Sequence, residues 1–426
     1  MHKLLLISAA SLLFALLTAC GGAGGSNSPA SSTQNTSSST STPSSPATTG
    51  QSTTTATTSG SSTAPVANQI SVTVGPNAWN AQNVLYTSVT ICVPGTSTCQ
   101  TIDNVLVDTG SFGLRLFDSQ VALALQKVSA AAGGTLTECV TFGSGTAWGT
   151  VAMADIKLAG EVASSAPVQL IADPAVSAAA TNNCSSSGLT DLNSPALLGA
   201  NGVLGVGLSA ADCGTGCVRA SSPGWYFGCP ANATSCSGTT VPLANQVTNP
   251  VSMFAQDNNG VVLTLPSVPS TGIPITSGTL TFGIDTQSDN ALGSAKVYTL
   301  NSNYDLTTLF NGSVFQESFL DSGSNGLFFD DSIATCSGST FYCPVSTLSL
   351  SAVMVGLNGN NVALNFQVGN ALSMVGNGAY AMNDFAAQSG SAGLFDWGLP
   401  FFYGRSIYTA IAGTTNSGGT GPFFAF

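Results

Sequence analysis

The sequence predicts an all-β protein. Charged residues make up only 6% of the 426-residue chain, glycine occurs 48 times, and short apolar or alternating runs recur between Gly, Pro and Asn residues. A period of two is typical of strands with one buried face, and Gly, Pro and Asn favour reversals of the chain between them. A chain with this many turn formers and so polar a surface is better suited to sheets than to helices.

The regular elements can be predicted in chain order. Each predicted strand is a run of β-branched, aromatic or other apolar residues bounded by turn formers. The clearest strands are residues 70–74, 84–91, 261–265 and 279–282. The best helix candidate is residues 119–131, which are rich in Ala and Leu and are followed by Gly133 and Gly134. A short helix is also expected within residues 243–254.

The first 19 residues are predicted to be an export signal. Lys3 precedes an apolar run that is too short for a membrane-spanning helix. The sequence Leu17-Thr18-Ala19-Cys20 resembles a bacterial lipobox, which implies cleavage before Cys20 and lipidation of that cysteine. Because Gly21 follows rather than Asp, the outer membrane is the expected location. An ordinary signal peptide cleaved elsewhere is the alternative.

Three further segments follow the signal. Residues 20–68 begin with the cysteine and continue almost entirely in Ser, Thr, Gly, Ala, Pro, Asn and Gln. Such a composition cannot bury a core, so these residues are predicted to form a flexible tether. The remainder is long enough for two lobes. We place an N-terminal β lobe at residues 69–247 and a C-terminal β lobe at 248–426.

Composition excludes several classes of function. The 19 acidic residues outnumber seven Lys and Arg, which argues against nucleic acid binding and against docking on anionic lipid. Contact with the membrane is therefore expected through the lipid anchor only. The one histidine, His2, lies in the predicted signal. The exported chain would then lack Ser-His-Asp and Cys-His catalysis and histidine-ligated metals. The remaining options for hydrolytic catalysis are a carboxylate pair, a lysine-assisted nucleophile and an all-oxygen metal site.

The cysteines favour disulfides. Eleven are present, and setting Cys20 aside for lipidation leaves an even number in an oxidising compartment. Spacing suggests that three cysteine pairs each close a short loop and that a fourth pair closes a still shorter one. Cys139 and Cys184 are then left to pair with each other. A four-cysteine zinc site is the alternative, disfavoured by the wide spacings. The candidate disulfides are Cys92–Cys99, Cys139–Cys184, Cys213–Cys217, Cys229–Cys236 and Cys336–Cys343.

Two copies of one turn carry the strongest functional signal. Asp108-Thr109-Gly110-Ser111 and Asp321-Ser322-Gly323-Ser324 each follow an apolar stretch and lie 213 residues apart. A single copy in a chain so rich in Ser, Thr and Gly would be read as a simple β-turn. Two copies, each followed by an apolar segment with glycine, indicate a duplicated lobe that brings two carboxylates to one cleft. Such a pair can share a proton and activate water.

These turns and the segments around them resemble the pepsin-like aspartic peptidases. The order of the matching segments is that of the family: the flap hairpin, the segment threaded beneath the first turn, the opening of the second lobe, and the second threaded segment. The matching segments are residues 142–145, 201–207, 278–285 and 397–402. The resemblance implies a bilobal fold of two related β lobes with a central cleft and a few short helices. It also implies endopeptidase activity on an extended peptide, with no cofactor and no metal.

The resemblance assigns a role to each residue of the two turns. The ionised member of Asp108 and Asp321 would act as general base on a water molecule, and the protonated member would donate to the scissile carbonyl. Gly110 and Gly323 would let the backbone approach the carboxylates. The hydroxyl groups would brace the site: Thr109 and Ser322 between the turns, Ser111 and Ser324 on the carboxylates.

The flap region departs from the family pattern. The position of the flap tyrosine is Phe142, which cannot donate a hydrogen bond, and that of its usual tryptophan partner is Arg115. The Asp that usually follows the last glycine is Leu399. Arg115 is open to two interpretations, contact with a substrate carboxylate or a structural role. The expected flap and cleft residues are Phe142, Gly143, Ser144, Gly145 and Arg115.

Three functions are consistent with the sequence. The first is an aspartic endopeptidase that acts as a monomer on peptide or protein substrates. The second is a catalytically inactive pepsin-like protein that binds a ligand in the same cleft. The third is a tethered adhesin or structural protein of the bacterial envelope, which the Ser- and Thr-rich tether fits equally well.

Overall fold

Strands dominate the protein from Asn68 to the last residue. The computed structural model describes residues 68–176, 184, 189–221, 224–231 and 235–426. The predicted signal, Cys20 and the tether up to residue 67 lie outside the described residues. The strands of the first half are β1 (Gln69–Val74), β2 (Tyr86–Cys92), β3 (Cys99–Asp108), β4 (Phe112–Phe117), β5 (Gln126–Lys127), β6 (Thr135–Phe142), β7 (Gly145–Leu158), β8 (Glu161–Ile171), β9 (Gly202–Val206), β10 (Tyr226–Cys229) and β11 (Ser237–Gly238).

The second half continues the same pattern of strands joined by short turns. Its strands are β12 (Gly260–Leu265), β13 (Thr276–Phe282), β14 (Val297–Thr299), β15 (Leu306–Phe310), β16 (Ser313–Leu320), β17 (Leu327–Phe329), β18 (Leu348–Val355), β19 (Asn361–Val368), β20 (Ala386–Ala387), β21 (Leu394–Trp397), β22 (Arg405–Ala410), β23 (Thr415–Asn416), β24 (Gly419–Thr420) and β25 (Phe423–Ala425). The described α-helices are α1 (Pro195–Leu198), α2 (Thr215–Arg219), α3 (Ala371–Val375) and α4 (Leu399–Phe402). The all-β prediction is confirmed.

The larger sheet closes on itself in the first half. β2, β3, β9, β4, β8 and β7 pair in that order, and β7 pairs back with β2. β1 then joins this ring to the second half, because it pairs with β13 over six residue pairs. The rest of the sheet runs through β12, β22, β25 and β14.

The second half has its own seven-stranded sheet, in the order β19, β18, β15, β16, β21, β17, β20. Its centre repeats the centre of the ring. β16 pairs in parallel with β21, which pairs antiparallel with β17. In the ring, β3 pairs in parallel with β9, which pairs antiparallel with β4. This repetition is what a duplicated lobe would produce, while the boundary near residue 247 stays a prediction.

One expected helix is wrong. In place of a helix over residues 119–131, the chain has a 3-10 turn at Asp118–Gln120 and the short strand β5. Val121, Leu123 and Leu125 are partly buried against the core, and the residues between them are exposed. Burial therefore follows a period of two, and packing overrides the helix propensity of Ala and Leu. Residues 243–254 hold two 3-10 turns, Leu243–Asn245 and Pro250–Met253.

The strands expected from alternation are all present. β1, β2, β12 and β13 correspond to the predicted segments, with bounds that differ by up to three residues. Their apolar residues enter a shared core that spans both halves of the chain. In the second half this core is aromatic, with Phe395 stacked on Phe329 and Trp397 at centroid distances of 4.8 and 4.4 Å.

Among the described residues, five disulfides join the five pairs that spacing suggested. Five disulfides are typical of a protein exported to an oxidising compartment. Within the part of the chain that the structure describes, no helix is long and apolar enough to cross a membrane.

Candidate active site

The two Asp turns interlock through four hydrogen bonds. The Thr109 N–H donates to Ser322 Oγ at 3.1 Å, and the Ser322 N–H donates to Thr109 Oγ1 at 2.9 Å. Each hydroxyl in turn donates across the pair, Thr109 to the Leu320 carbonyl at 3.2 Å and Ser322 to the Val107 carbonyl at 2.8 Å. Each hydroxyl therefore accepts one hydrogen bond and donates another, and both bonds hold one turn against the other.

Each carboxylate is oriented by its own turn in the same way. Asp108 Oδ1 accepts from the Gly110 N–H at 2.8 Å, and Oδ2 accepts from the Ser111 hydroxyl at 2.5 Å. The corresponding bonds of Asp321 come from Gly323 at 2.7 Å and Ser324 at 2.8 Å. Two bonds to each side chain fix both carboxyl planes relative to the backbone.

The glycines place each carboxyl against the opposite turn. A Cβ atom added to Gly110 would lie 2.6 Å from Asp321 Cγ, and one added to Gly323 would lie 2.6 Å from Asp108 Cγ. These distances are closer than Cβ atoms pack in proteins, so only glycine fits at either position. The two carboxyl groups therefore face one another across the interlocked turns.

The pair is electrostatically coupled. Withdrawal of Asp321 from water, the adjacent charge of Asp108 and a hydrogen bond between the two side chains hold the pKa of Asp321 well above its usual range. Two carboxylates this close cannot both ionise cheaply, so the pair keeps one proton while the other member carries the charge. Gly110 is exposed and Asp321 is only partly buried, so solvent reaches the turns.

A segment that contains a glycine packs against each of the two turns. Gly205 of β9 lies opposite Asp108 in the parallel ladder, and a Cβ there would lie 2.6 Å from the Phe112 nitrogen. In the second half a Cβ on Gly398 would lie 2.0 Å from the Gly326 carbonyl oxygen. Close backbone packing at both places holds the turns rigidly. These glycines belong to the two segments that the sequence predicted to be threaded beneath the turns.

The hairpin of β6 and β7 carries the expected flap residues. Gly143 and Ser144 are exposed at its tip, while Phe142 is partly buried against two apolar clusters. The segment around Leu192 holds the hairpin just below its tip through two backbone hydrogen bonds. The Thr146 N–H donates to the Thr190 carbonyl, and the Leu192 N–H donates to the Thr146 carbonyl. Phe142 thus acts as an apolar anchor of the hairpin.

Arg115 is withdrawn from solvent and ion-paired. Its Nη2 lies 2.7 Å from both Glu138 Oε1 and Asp212 Oδ1, and its exposed fraction is 0%. The Tyr226 hydroxyl donates to the other oxygen of Asp212 at 2.9 Å. The guanidinium is therefore not available to a substrate, and the structural interpretation of Arg115 replaces its placement among the cleft residues. It links β4, which follows the first turn, to β6 of the hairpin.

Two features of the site were missed by sequence reasoning. One is the set of partners of Arg115, which sequence spacing does not reveal. The other is Asp396, a buried acid in β21 whose Oδ1 lacks a hydrogen-bond partner among the described residues. The sequence signal that could have indicated Asp396 is the presence of an acidic residue inside the apolar run Leu394–Trp397.

The buried acids predict that the protein loses stability as pH rises above about 4, where ordinary carboxyls are ionised. Burial raises the pKa of Asp384 to about 6 and raises those of Asp321, Asp396 and Glu138 well above their usual range. A raised pKa means that the folded state binds the proton more tightly than the unfolded state does. The free energy of unfolding therefore falls between the unfolded and folded pKa values.

Chemical denaturation at a series of pH values measures this slope. Asp384→Asn should flatten the part of the curve between about pH 4 and the folded pKa of Asp384, because its proton no longer contributes. Stability that rises from pH 4 to 7 would contradict the prediction.

Comparisons with known proteins give a structural likeness and a family. No curated protein matches the chain in sequence. Among solved structures, the aspartic proteinase from Irpex lacteus is similar, with 18% sequence identity and a TM-score of 0.47 over 84% of this chain and 96% of that chain. The model of a family described as "Protein of unknown function (DUF3443)" matches residues 64–426. The chain belongs to this family.

Proposed function

We propose that this protein is an aspartic endopeptidase in which Asp108 and Asp321 activate water for the hydrolysis of peptide bonds. The observation that carries the proposal is the pair of interlocked turns, which leave room for no Cβ between each glycine and the opposite carboxyl. The N–H groups of Thr109 and Ser322 join the two turns. The N–H groups of Gly110 and Gly323 bind the two carboxyls. A loop that only reversed the chain would not need this arrangement.

The chemistry follows from the shared proton. Water attacks an amide too slowly unless a base removes its proton as the bond to carbon forms. In the proposed step the ionised carboxyl takes that proton, and the protonated carboxyl donates its own to the carbonyl oxygen. Proton donation to the leaving nitrogen then allows the C–N bond to break. The raised pKa of Asp321 keeps one proton in the pair, as this step requires.

The proposed substrate is a peptide or protein segment in extended form. Extended chains present side chains alternately to two sides, which suits a groove between two β-rich lobes. The acidic composition of the protein favours substrates that are not strongly acidic. We further propose that one copy of the chain suffices, because both halves of the site come from a single chain.

Export and anchoring form a second part of the proposal. The five disulfides suit an oxidising compartment. The sequence Leu17-Thr18-Ala19-Cys20 supports a lipid anchor on Cys20, and Gly21 after it supports the outer membrane as its place. Incorporation of labelled palmitate that Cys20→Ser abolishes is the test, and equal labelling of both proteins would contradict it.

Digestion of a peptide library by the purified protein tests the proposed activity. Mass spectrometry of the products, from acidic to neutral pH, should show internal cleavage with an acidic optimum. Cleavage that persists in excess chelator agrees with the proposal, while loss of cleavage with chelator would indicate an all-oxygen metal site. Folded protein that cuts nothing at any pH would overturn the proposal and favour a binding protein with an unused pair of acids.

A further inference from the structure

A short segment before β2 contacts the chain beside both Asp turns. The N–H of Val107, in the strand that leads into the first turn, donates to the Leu85 carbonyl at 2.8 Å. Two residues before Leu85, the side-chain nitrogen of Asn83 donates to the Asn325 carbonyl at 2.9 Å. Asn325 directly follows the last serine of the second turn. The two turns are therefore joined by a second route, separate from the four bonds by which they interlock.

Asn83 is completely buried, and its side chain uses its full hydrogen-bonding capacity. Besides the Asn325 carbonyl, its nitrogen donates to the Met382 carbonyl at 2.8 Å. Its oxygen accepts from the Met382 N–H at 2.7 Å and from the Tyr403 hydroxyl at 2.9 Å. A primary amide has two N–H donors and one oxygen with two lone pairs, so every site is used. The two carbonyls can only accept, which fixes the orientation of the amide.

The backbone at Asn83 restricts which side chains fit there. Its φ angle is +51°, in the left-handed region that Gly, Asn and Asp adopt more readily than other residues. Glycine has no side chain that could reach the second turn. An ionised aspartate has no donor for the two carbonyls. Of these three residue types, only asparagine meets both requirements.

The bond to Asn325 determines how the second turn ends. The Leu399 N–H donates to the Ser324 carbonyl at 2.8 Å, and Asn83 holds the next carbonyl along the chain. Two consecutive peptide groups are therefore fixed directly after the residue whose hydroxyl donates to Asp321 Oδ2. Because that hydroxyl orients the carboxyl, the place of Asp321 depends on the backbone that follows it.

The first turn is held at the matching position by a different residue. Phe112 directly follows Ser111, and its carbonyl accepts from Arg115 Nη1. Arg115 is also buried, but it belongs to the same half of the chain as the turn that it holds. Asn83 instead reaches from the first half to the turn of the second. Loss of the Asn83 side chain should therefore loosen the second turn more than the first.

We propose that Asn83 is a positioning residue of the catalytic pair, whose side-chain amide holds the carbonyl after the second turn and so keeps Ser324 and Asp321 in place against the first turn. Its catalytic meaning rests on the proposed function, whereas its effect on the turn does not. A completely buried side chain does not contact the substrate. Asn83 therefore acts on the chemical step and not on substrate binding.

Asn83→Gly and a matched control test the inference. Glycine adopts the left-handed backbone without strain, so Asn83→Gly removes the side chain alone. Asn80→Gly makes the same change three residues earlier, where φ is +53°. The Asn80 side chain accepts from the Tyr380 hydroxyl at 2.7 Å and so also joins the two halves. It is exposed and its bond does not go to either turn.

Amide hydrogen exchange of the full chain measures the turns without reference to activity. Mass spectrometry of fragments separates the second turn, residues 319–326, from the first turn, residues 106–112. In Asn83→Gly we expect exchange to speed up about tenfold more in the second turn than in the first. Asn80→Gly should show no such difference. A general loss of stability would speed exchange in both turns alike.

Catalysis provides the second readout. In Asn83→Gly, kcat should fall by about 10- to 100-fold, because a small displacement of one acid slows the chemical step. KM should stay within about twofold, because the groups that meet the substrate are unchanged. Asn80→Gly should retain both constants.

Native-state exchange of the unaltered protein covers the case in which Asn83→Gly does not fold. The side-chain NH₂ of Asn83 and the backbone N–H of Gly323 should open together, with the same dependence on denaturant, because they belong to one hydrogen-bonded unit. NMR follows both groups. An Asn83 amide that opens independently of Gly323 would overturn the inference.

Three results with the variants would also overturn it. These are equal acceleration of exchange in both turns of Asn83→Gly, the same losses in Asn80→Gly as in Asn83→Gly, and an unchanged kcat in a variant whose second turn exchanges faster. If the unaltered protein hydrolyses no peptide, the proposed function fails, and the exchange measurements still decide whether Asn83 holds the second turn.

Discussion

Asp108→Asn is expected to abolish peptide hydrolysis and to leave the protein folded. Asparagine keeps the shape of the side chain. Its one carbonyl oxygen can still accept from the Gly110 N–H, and its amide group can donate to the Ser111 hydroxyl oxygen. It cannot take a proton from water. Loss of an essential catalytic group typically costs roughly 10⁴-fold or more in kcat. Asp321→Asn should have the same effect, because each acid is needed in one protonation state.

The same substitution should stabilise the protein at neutral pH. The charge of Asp108 is one cause of the raised pKa of Asp321, so its removal relieves repulsion between two acids held face to face. Activity and the free energy of unfolding should therefore change in opposite directions. Both are measured on one preparation, by peptide cleavage and by chemical denaturation.

Asp103→Asn is the matched control for this pair of measurements. Asp103 lies on the same strand, β3, five residues before Asp108, and it is exposed with a hydrogen bond from Ser88. Its replacement should leave cleavage unchanged. Full activity in Asp108→Asn would exclude the paired-acid mechanism, and equal losses in both variants would indicate a general effect of altering β3.

Arg115→Met is expected to lower the free energy of unfolding by about 3–5 kcal/mol at neutral pH. Methionine fills most of the volume, but Glu138 and Asp212 would remain buried without their cation. Removing one partner of a buried ion pair costs about this much because the remaining charge is uncompensated. The loss should be smaller in acid, since burial raises the pKa of Glu138 well above its usual range and the proton then neutralises it.

Chemical denaturation of three proteins tests this expectation. Arg219→Met is the control, because Arg219 is exposed in the last turn of α2 and should change stability by no more than about 0.5 kcal/mol. A triple variant with Arg115→Met, Glu138→Gln and Asp212→Asn should recover much of the loss, because no charge is left unpaired. A loss below about 1 kcal/mol in Arg115→Met would show that the network contributes little.

The sequence allowed the local parts of the site to be predicted. Asp108-Thr109-Gly110-Ser111 and its copy at Asp321 are contiguous, and their geometry depends on a turn and the strand before it. The pairing of Cys92 with Cys99 was equally accessible, because seven residues around a turn bring two cysteines together. In each case the information lies within a few residues of chain.

Long-range contacts were not predictable in the same way. Arg115 meets Glu138 and Asp212 from three separate segments, and spacing along the chain does not encode their meeting. The helix expected at residues 119–131 failed for a related reason. Ala and Leu favour a helix locally. The alternation of Val121, Leu123 and Leu125 instead follows the core against which the segment packs.

The reciprocal bonds between Thr109 and Ser322 have a consequence for the timing of activity. They join residues 213 positions apart, and contacts of such long sequence separation form late because closing a large loop costs chain entropy. The strand that leads into Asp321 also needs β21, near the end of the chain, as its parallel neighbour. A nascent or partly folded molecule therefore carries two separate carboxylic acids, and the proposed hydrolysis would begin only after the two turns have met.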